Sequence, residues 1–252
     1  VSEPRLLRLS RVIAVAQGPV VLPQARRLRK AVPRLPDALA PWRGEVAGPD
    51  PLRLLALGDS TVAGTGVVEA SDGIAGRLAH ALHARLGRGV LWRAVGENGA
   101  TSRDLLERHL DEALAEPFDL VFLSFGANDA LGLRAAAAFA RDLGRLLTRL
   151  ESAQPDAAVV MSSLPVFGRF DLLPEPLRTA LFRHSRNLER AARAVIDRDP
   201  SRIMNAEPPP YADDFFASDG FHPGPHGYRD WADWAVDDAM ARGLAARLGS
   251  RA

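Results

Sequence analysis

Four short polar clusters interrupt an otherwise regular alternation of strand-like and helix-like stretches. They are Gly58-Asp59-Ser60, Asn98-Gly99-Ala100-Thr101, Gly126-Ala127-Asn128-Asp129 and Asp219-Gly220-Phe221-His222. Hydrophobic patterning does not require any of them, and their chemistries are complementary. A serine hydroxyl becomes a useful nucleophile only when a neighbouring imidazole takes its proton and a third group fixes the imidazole tautomer. His222 and Asp219 can supply both functions to Ser60. Three residues apart on one turn, the carboxylate can accept from Nδ1 while Nε2 faces the hydroxyl, and Pro223 and Pro225 stiffen the chain just beyond.

Acyl transfer also needs donors for a developing oxyanion. The Ser60 N–H at a helix start, the Gly99 N–H and the Asn128 amide are the candidates. Taken singly, each has a plainer reading: His222 as a surface-loop histidine, Gly99 as a turn glycine, Asn128 as an Asx-turn or helix-cap residue. Asp59 and Asp129 are expected to support the site by accepting N–H groups of their own turns. An alternative joins Asp59, Asp129, Asp219 and His222 into a metal site for phosphoester hydrolysis. The acyl-transfer reading calls for no metal and no cofactor, and His226 cannot align with His222 on a helix because two prolines intervene.

These clusters must be brought to one place, and the intervening patterns say how. Leu52–Leu57 is an apolar run that stops at Gly58, as a buried strand should. Strands are also expected at Val90–Val95, Phe118–Phe125, Ala157–Ser162 and Arg202–Asn205. Helical spacing marks Ile74–Leu86, Ala135–Leu150, Leu177–Asp197 and Tyr228–Leu248, and Thr101 with Asp104 offers a capping box for a helix to about Ala115. Strand and helix alternate throughout, which predicts an α/β fold, a three-layer αβα sandwich. All four clusters then follow strand carboxyl ends, and in a parallel sheet such loops converge on one rim.

Residues 1–50 read differently. They carry nine basic and four acidic groups, while the remaining chain is net acidic although the whole sums to +1. Pro33, Pro36, Pro41 and Pro49 break regular structure, so a short helix followed by an irregular strap along the domain is expected, with residues 51–252 as the catalytic-looking domain. Arg5, Arg8 and Arg11 precede the apolar pieces Val12–Val15 and Val20–Leu22. That arrangement resembles a truncated signal or a surface-lying segment, but no small-residue cleavage site is evident, and a packed helix is favoured. The run Arg26, Arg27, Arg29 and Lys30 reads as a solvated face, with weak peripheral contact to an anionic membrane as the alternative.

An acidic main domain argues against an obligatory nucleic-acid partner. The chain has no cysteine, which removes disulfides and thiolate chemistry, and no run reaches the length of a spanning helix. A soluble, cytoplasmic protein is favoured, with export as the alternative. The oligomeric state is left open.

The four blocks, in this order, closely resemble the SGNH-hydrolase superfamily, also called the GDSL esterase/lipase family. Gly58-Asp59-Ser60 is similar to its first block, Gly99 to its glycine block, residues 126–129 to G-x-N-D, and residues 219–222 to D-x-x-H. The similarity covers residues 52 to about 245, and segment 1–50 has no counterpart. Thr61 and Val62 stand where the family usually has a leucine after the serine, and the usual second glycine near Gly99 is missing.

The resemblance implies a flavodoxin-like parallel five-stranded sheet of order 2-1-3-4-5. It implies a Ser60–His222–Asp219 triad, with the Ser60 N–H, Gly99 and Asn128 as oxyanion hole, acting on a small-molecule ester. There is no G-x-S-x-G elbow, which disfavours an ordinary α/β-hydrolase. Val62, Leu131, Val166, Phe167, Phe170 and Phe221 lie in or beside rim loops and are expected to favour apolar acyl or alcohol groups. Short- to medium-chain or acetyl esters are the preferred substrates, with thioesters and acylated sugars as alternatives. A catalytically silent binding module is the non-enzyme reading.

Overall fold

The computed structural model describes residues 7–206 and 208–249. Arg5 and the other residues of 1–6 lie outside it, as do 207 and 250–252. Six strands form one sheet: β1 (Arg43–Val46), β2 (Leu52–Gly58), β3 (Val90–Gly96), β4 (Leu120–Ser124), β5 (Ala158–Met161) and β6 (Arg202–Met204), in the order β1-β3-β2-β4-β5-β6. This corrects the five-stranded parallel sheet of order 2-1-3-4-5. Strand β1 runs antiparallel to β3, pairing Arg43 with Arg93 and Val46 with Val90, so the sheet is mixed. The other adjacent pairs are parallel.

The miss has a physical cause. Arg43-Gly44-Glu45-Val46 has one apolar residue and sits between prolines, so nothing local specifies a strand. An edge strand is defined by the partner that completes its ladder, and here that partner is distant in sequence.

The central strands obey the period-2 rule and face two cores. Leu55, Leu57, Val121 and Leu123 point to the layer that holds the Ala136–Ala153 and Leu177–Ile196 helices, where Phe139, Leu146 and Leu188 are fully buried. Leu54, Ala56, Leu120 and Phe122 point the other way, toward Ile74–Leu86 and Pro225–Ala241, where Ile74, Leu78 and Tyr228 are buried. Because both faces are covered, these strands read as almost continuous apolar runs.

The expected Tyr228–Leu248 helix begins earlier, with Pro225 in its first turn, and breaks after Ala241 before Leu244–Gly249. The Thr101 capping box is present: the Asp104 N–H donates to Thr101 Oγ1 and the Thr101 N–H to Asp104 Oδ2. The helix it starts includes a π-helical stretch, Leu105–His109.

The N-terminal segment forms two helices, Ser10–Ala16 and Gly18–Ala31, before the extended stretch that leads to β1. The first is fastened by a bond between Ser10 Oγ and Nδ1 of the buried His184. Leu9, Val12, Val15, Val20 and Leu22 remain exposed on these helices. No helix among the described residues is long and apolar enough to cross a membrane.

Candidate active site

Strand β2 ends where Gly58 packs against β4. A Cβ on Gly58 would lie 1.9 Å from the Ser124 carbonyl oxygen, so only glycine lets the strands close here. The chain then turns sharply. The N–H groups of Val62 and Ala63 both donate to the Asp59 carbonyl, and the Thr65 N–H donates to the Ser60 carbonyl. Ser60 therefore opens a run of helical turns rather than a regular helix. Its hydroxyl lies at the sheet rim, 3.1 Å from Nε2 of His222.

His222 sits on a closed loop. The Ala217 N–H donates to the His222 carbonyl and the Gly224 N–H to the Phe215 carbonyl, which pinches the segment at its base. Within the loop, Asp219 Oδ1 accepts from the Phe221 and His222 N–H groups, at 2.9 and 3.0 Å, and its Oδ2 lies 2.6 Å from His222 Nδ1. Burial raises the Asp219 carboxyl, but the His222 ring and the two backbone donors outweigh it and hold the group below its ordinary value. The ionised carboxylate can only accept, so Nδ1 carries the proton and Nε2 is left to accept from Ser60 Oγ. The pairing joins residues three apart in the chain, as the spacing allows.

Gly99 is exposed with φ +89°, in the region that favours glycine, and a Cβ there would meet nothing within 4 Å. Among the described residues no acceptor is found for the N–H of Ser60 or of Gly99. Asn128, in the short Ala127–Leu131 helix, donates from Nδ2 to the Ala100 carbonyl at 3.0 Å. One amide hydrogen is thus spent holding the side chain beside the Gly99 turn, and the second is left over.

The two supporting aspartates each meet their own donors. Asp59 Oδ1 accepts from the Thr61 N–H and hydroxyl, and the Ser124 hydroxyl then donates to Thr61. Burial pushes the Asp59 carboxyl up to about 6 against the pull of the Thr61 donors and of His222. Asp129 does not brace its own turn as expected: it accepts from the N–H and hydroxyl of Ser102, 27 residues earlier in the chain, with Arg134 3.3 Å away. Burial raises its carboxyl too, opposed by Ser102 and Arg134.

Among the described residues no three His, Asp or Glu side chains are grouped to hold a metal ion. His226 pairs with Asp214 at the surface, away from His222.

Two cavities adjoin the site, and Phe221 and His222 border both. The smaller encloses about 60 Å³ and is bordered by Ser60, Phe170, Tyr211 and Phe216. Phe170 packs on Phe221 and Phe216 with ring centres 5.4 and 4.9 Å apart. Ser163, whose buried hydroxyl has no partner among the described residues, also borders it.

Of the residues expected beside the substrate, Leu131, Phe170 and Phe221 border these cavities. Val62 does not: it is buried beneath Gly58 and Gly96 in the core on the far face of the sheet. Phe167 is fully buried under Phe170 and Phe221, and Val166 is fixed through its N–H to the Tyr211 hydroxyl without bordering either cavity. Thr61, Ser102, Ser124 and Asp37 were missed. Their braces join chain segments that only the folded sheet brings together.

Fold and rim together define an α/β protein of the SGNH-like hydrolase fold. The profile of the GDSL-like Lipase/Acylhydrolase family matches residues 56–229, and the chain belongs to that family. The GDSL-like esterase Rv1075c of Mycobacterium tuberculosis is 27% identical over 214 residues, which is 81% of this chain and 67% of that protein. Among solved structures, TesA superposes with a TM-score of 0.61 at 22% identity, covering 75% of this chain and 99% of TesA. The psychrotrophic esterase EstA of Pseudoalteromonas sp. does so with a TM-score of 0.58 at 19% identity, covering 77% of this chain and 98% of EstA.

Proposed function

We propose that this protein is a serine esterase that hydrolyses carboxylic esters through an acyl-enzyme on Ser60. The observation that carries the reading is the unbroken relay from Ser60 Oγ to His222 Nε2 (3.1 Å) and from His222 Nδ1 to Asp219 (2.6 Å). Ser60 attacks the ester carbonyl as His222 takes its proton. Asp219 keeps the imidazole in the required tautomer and stabilises the imidazolium. The oxyanion is held by the Ser60 and Gly99 N–H groups and by the second amide hydrogen of Asn128. His222 then protonates the leaving alcohol and activates the water that frees Ser60.

In this reading residues 51–252 are the hydrolase unit and residues 1–50 an extension applied to it. The substrates are short- to medium-chain carboxylic esters. Covalent labelling by a fluorophosphonate tests the assignment. Stoichiometric labelling of the wild type, lost in Ser60→Ala and slowed in His222→Ala, is the expected result. Labelling that persists in Ser60→Ala would overturn it.

A further inference from the structure

The larger of the two cavities is built in part from a segment the family profile does not reach. The Gly18–Ala31 helix and the extended residues after it precede residue 56, where the match begins, yet they form one bank of a cleft that runs to His222 and Asp219. The cleft encloses about 590 Å³. Leu28 and Val32 border it on the N-terminal bank, Leu172 and Leu181 on the opposite bank, and Leu131 and Phe221 at the inner end. Its volume is about ten times that of the aromatic cavity beside Ser60.

The two banks are tied together. The Gln24 side chain donates to the Glu175 carbonyl at 2.7 Å and accepts from the Leu177 N–H at 3.3 Å, so one amide spans from the N-terminal helix to the rim loop. Farther along, Asp37 accepts from Thr65 Oγ1 and from Asn98 Nδ2, which fixes the extended stretch beside the Gly99 turn. The cleft is therefore a preformed feature with its width set by hydrogen bonds. Arg29, Arg34 and Asn98 also border the cleft, but leucine, valine and proline side chains that offer no hydrogen bonds make up most of its wall and suit a flexible hydrocarbon lying along them.

We propose that this cleft binds an unbranched hydrocarbon chain of the ester, and that Leu28 and Val32 are specificity-determining residues contributed by the N-terminal segment. The proposal rests on the esterase reading, because it makes His222 the point where the chain meets the scissile group. The chain can belong to the acid or to the alcohol. Each methylene that enters the cleft adds about two- to fourfold to kcat/KM, as burial of a CH2 group does.

Two substrate series separate the sources: p-nitrophenyl esters from acetate to laurate, and acetates of alcohols from ethanol to dodecanol. In one of them kcat/KM rises with chain length in the wild type. In Ala25→Trp, which fills the exposed mouth of the cleft, and in Val32→Asp, which places a charge in its wall, the ratio of longest-chain to shortest-chain kcat/KM falls at least tenfold. Calorimetric binding of dodecanoate to Ser60→Ala reads the cleft without catalysis and weakens by a similar factor when Ala25→Trp is added. Two flat series, or a chain-length slope that both variants leave unchanged, would overturn the proposal. Loss of Ser60 labelling in the wild type, with dodecanoate binding intact, would instead overturn the esterase reading and leave the cleft standing.

Discussion

The rim and the N-terminal arm face each other across one cleft, but only the rim adds local braces to its distant ones. On the rim, long braces such as Asp129 to Ser102 and Thr61 to Ser124 are joined by a set of local ones: Asp59 to Thr61, Thr101 to Asp104, and Asp219 to Phe221 and His222, two or three residues apart. The arm is held by bonds that span 174 residues at Ser10–His184, 151 at Gln24–Glu175 and 28 at Asp37–Thr65. A local brace requires particular residue types at a fixed spacing, so it leaves a motif. A distant brace requires only that two compatible groups arrive together, and it leaves none.

This contrast gives the two regions different jobs. Substitutions of rim groups that face the substrate should change the chemical step and leave the fold alone. Arm substitutions should change stability and substrate choice. The largest expected effect is on the rim. Under the proposed mechanism Asn128→Ala removes one oxyanion donor and should lower kcat by about 10²–10³-fold, with little change in KM or in melting temperature. Steady-state kinetics and thermal unfolding check this together. A parallel fall in Tm would mean that the Asn128–Ala100 bond serves the fold more than the reaction.

The next effect concerns a rim group that acts on stability. The Asp59 carboxyl is raised to about 6 from 3.8, so between those values the folded state holds a proton that the unfolded chain has released. Stability attributable to Asp59 therefore falls as pH rises from about 4 to 6, and the full cost is carried above that. Asp59→Asn keeps an oxygen to accept from Thr61 but cannot ionise. It should flatten this part of the stability–pH curve and stabilise the protein by about 1–3 kcal/mol at pH 7. Denaturant unfolding at pH 4, 6 and 7 measures it, and an unchanged slope would show that Asp59 is not the group responsible.

The smallest effect belongs to the arm. Gln24→Ala breaks the bond between the two banks and should cost about 1 kcal/mol. It should reduce hydrolysis of long-chain esters more than of acetates, because the cleft loses its fixed width. If both substrates slow equally, the arm shapes the catalytic rim itself and the division between the two regions fails.

The same contrast explains what the sequence made legible. Buried strands with both faces covered announce themselves as apolar runs, so Leu52–Gly58 and Leu120–Ser124 could be read directly. The Asp219–His222 pairing followed from its spacing on one turn. Strand β1 did not, because Arg43-Gly44-Glu45-Val46 becomes a strand only by completing the edge against β3. Val62 and Phe167 were placed near the rim by their position in the chain, but both side chains point into the core. Sequence position near a loop says little about side-chain direction once the backbone turns. Gln24, on the Gly18–Ala31 helix, and Asp37, in the extended stretch after it, carried no mark of the contacts they make.

The central claim is that Ser60 becomes acylated during turnover, and acid-quenched mass spectrometry during ester hydrolysis tests it most directly. The account predicts one acyl group per chain on the peptide that contains Ser60, and none in Ser60→Ala. Substrate turned over at full rate with no adduct on Ser60, or an adduct on another residue that survives in Ser60→Ala, would contradict it.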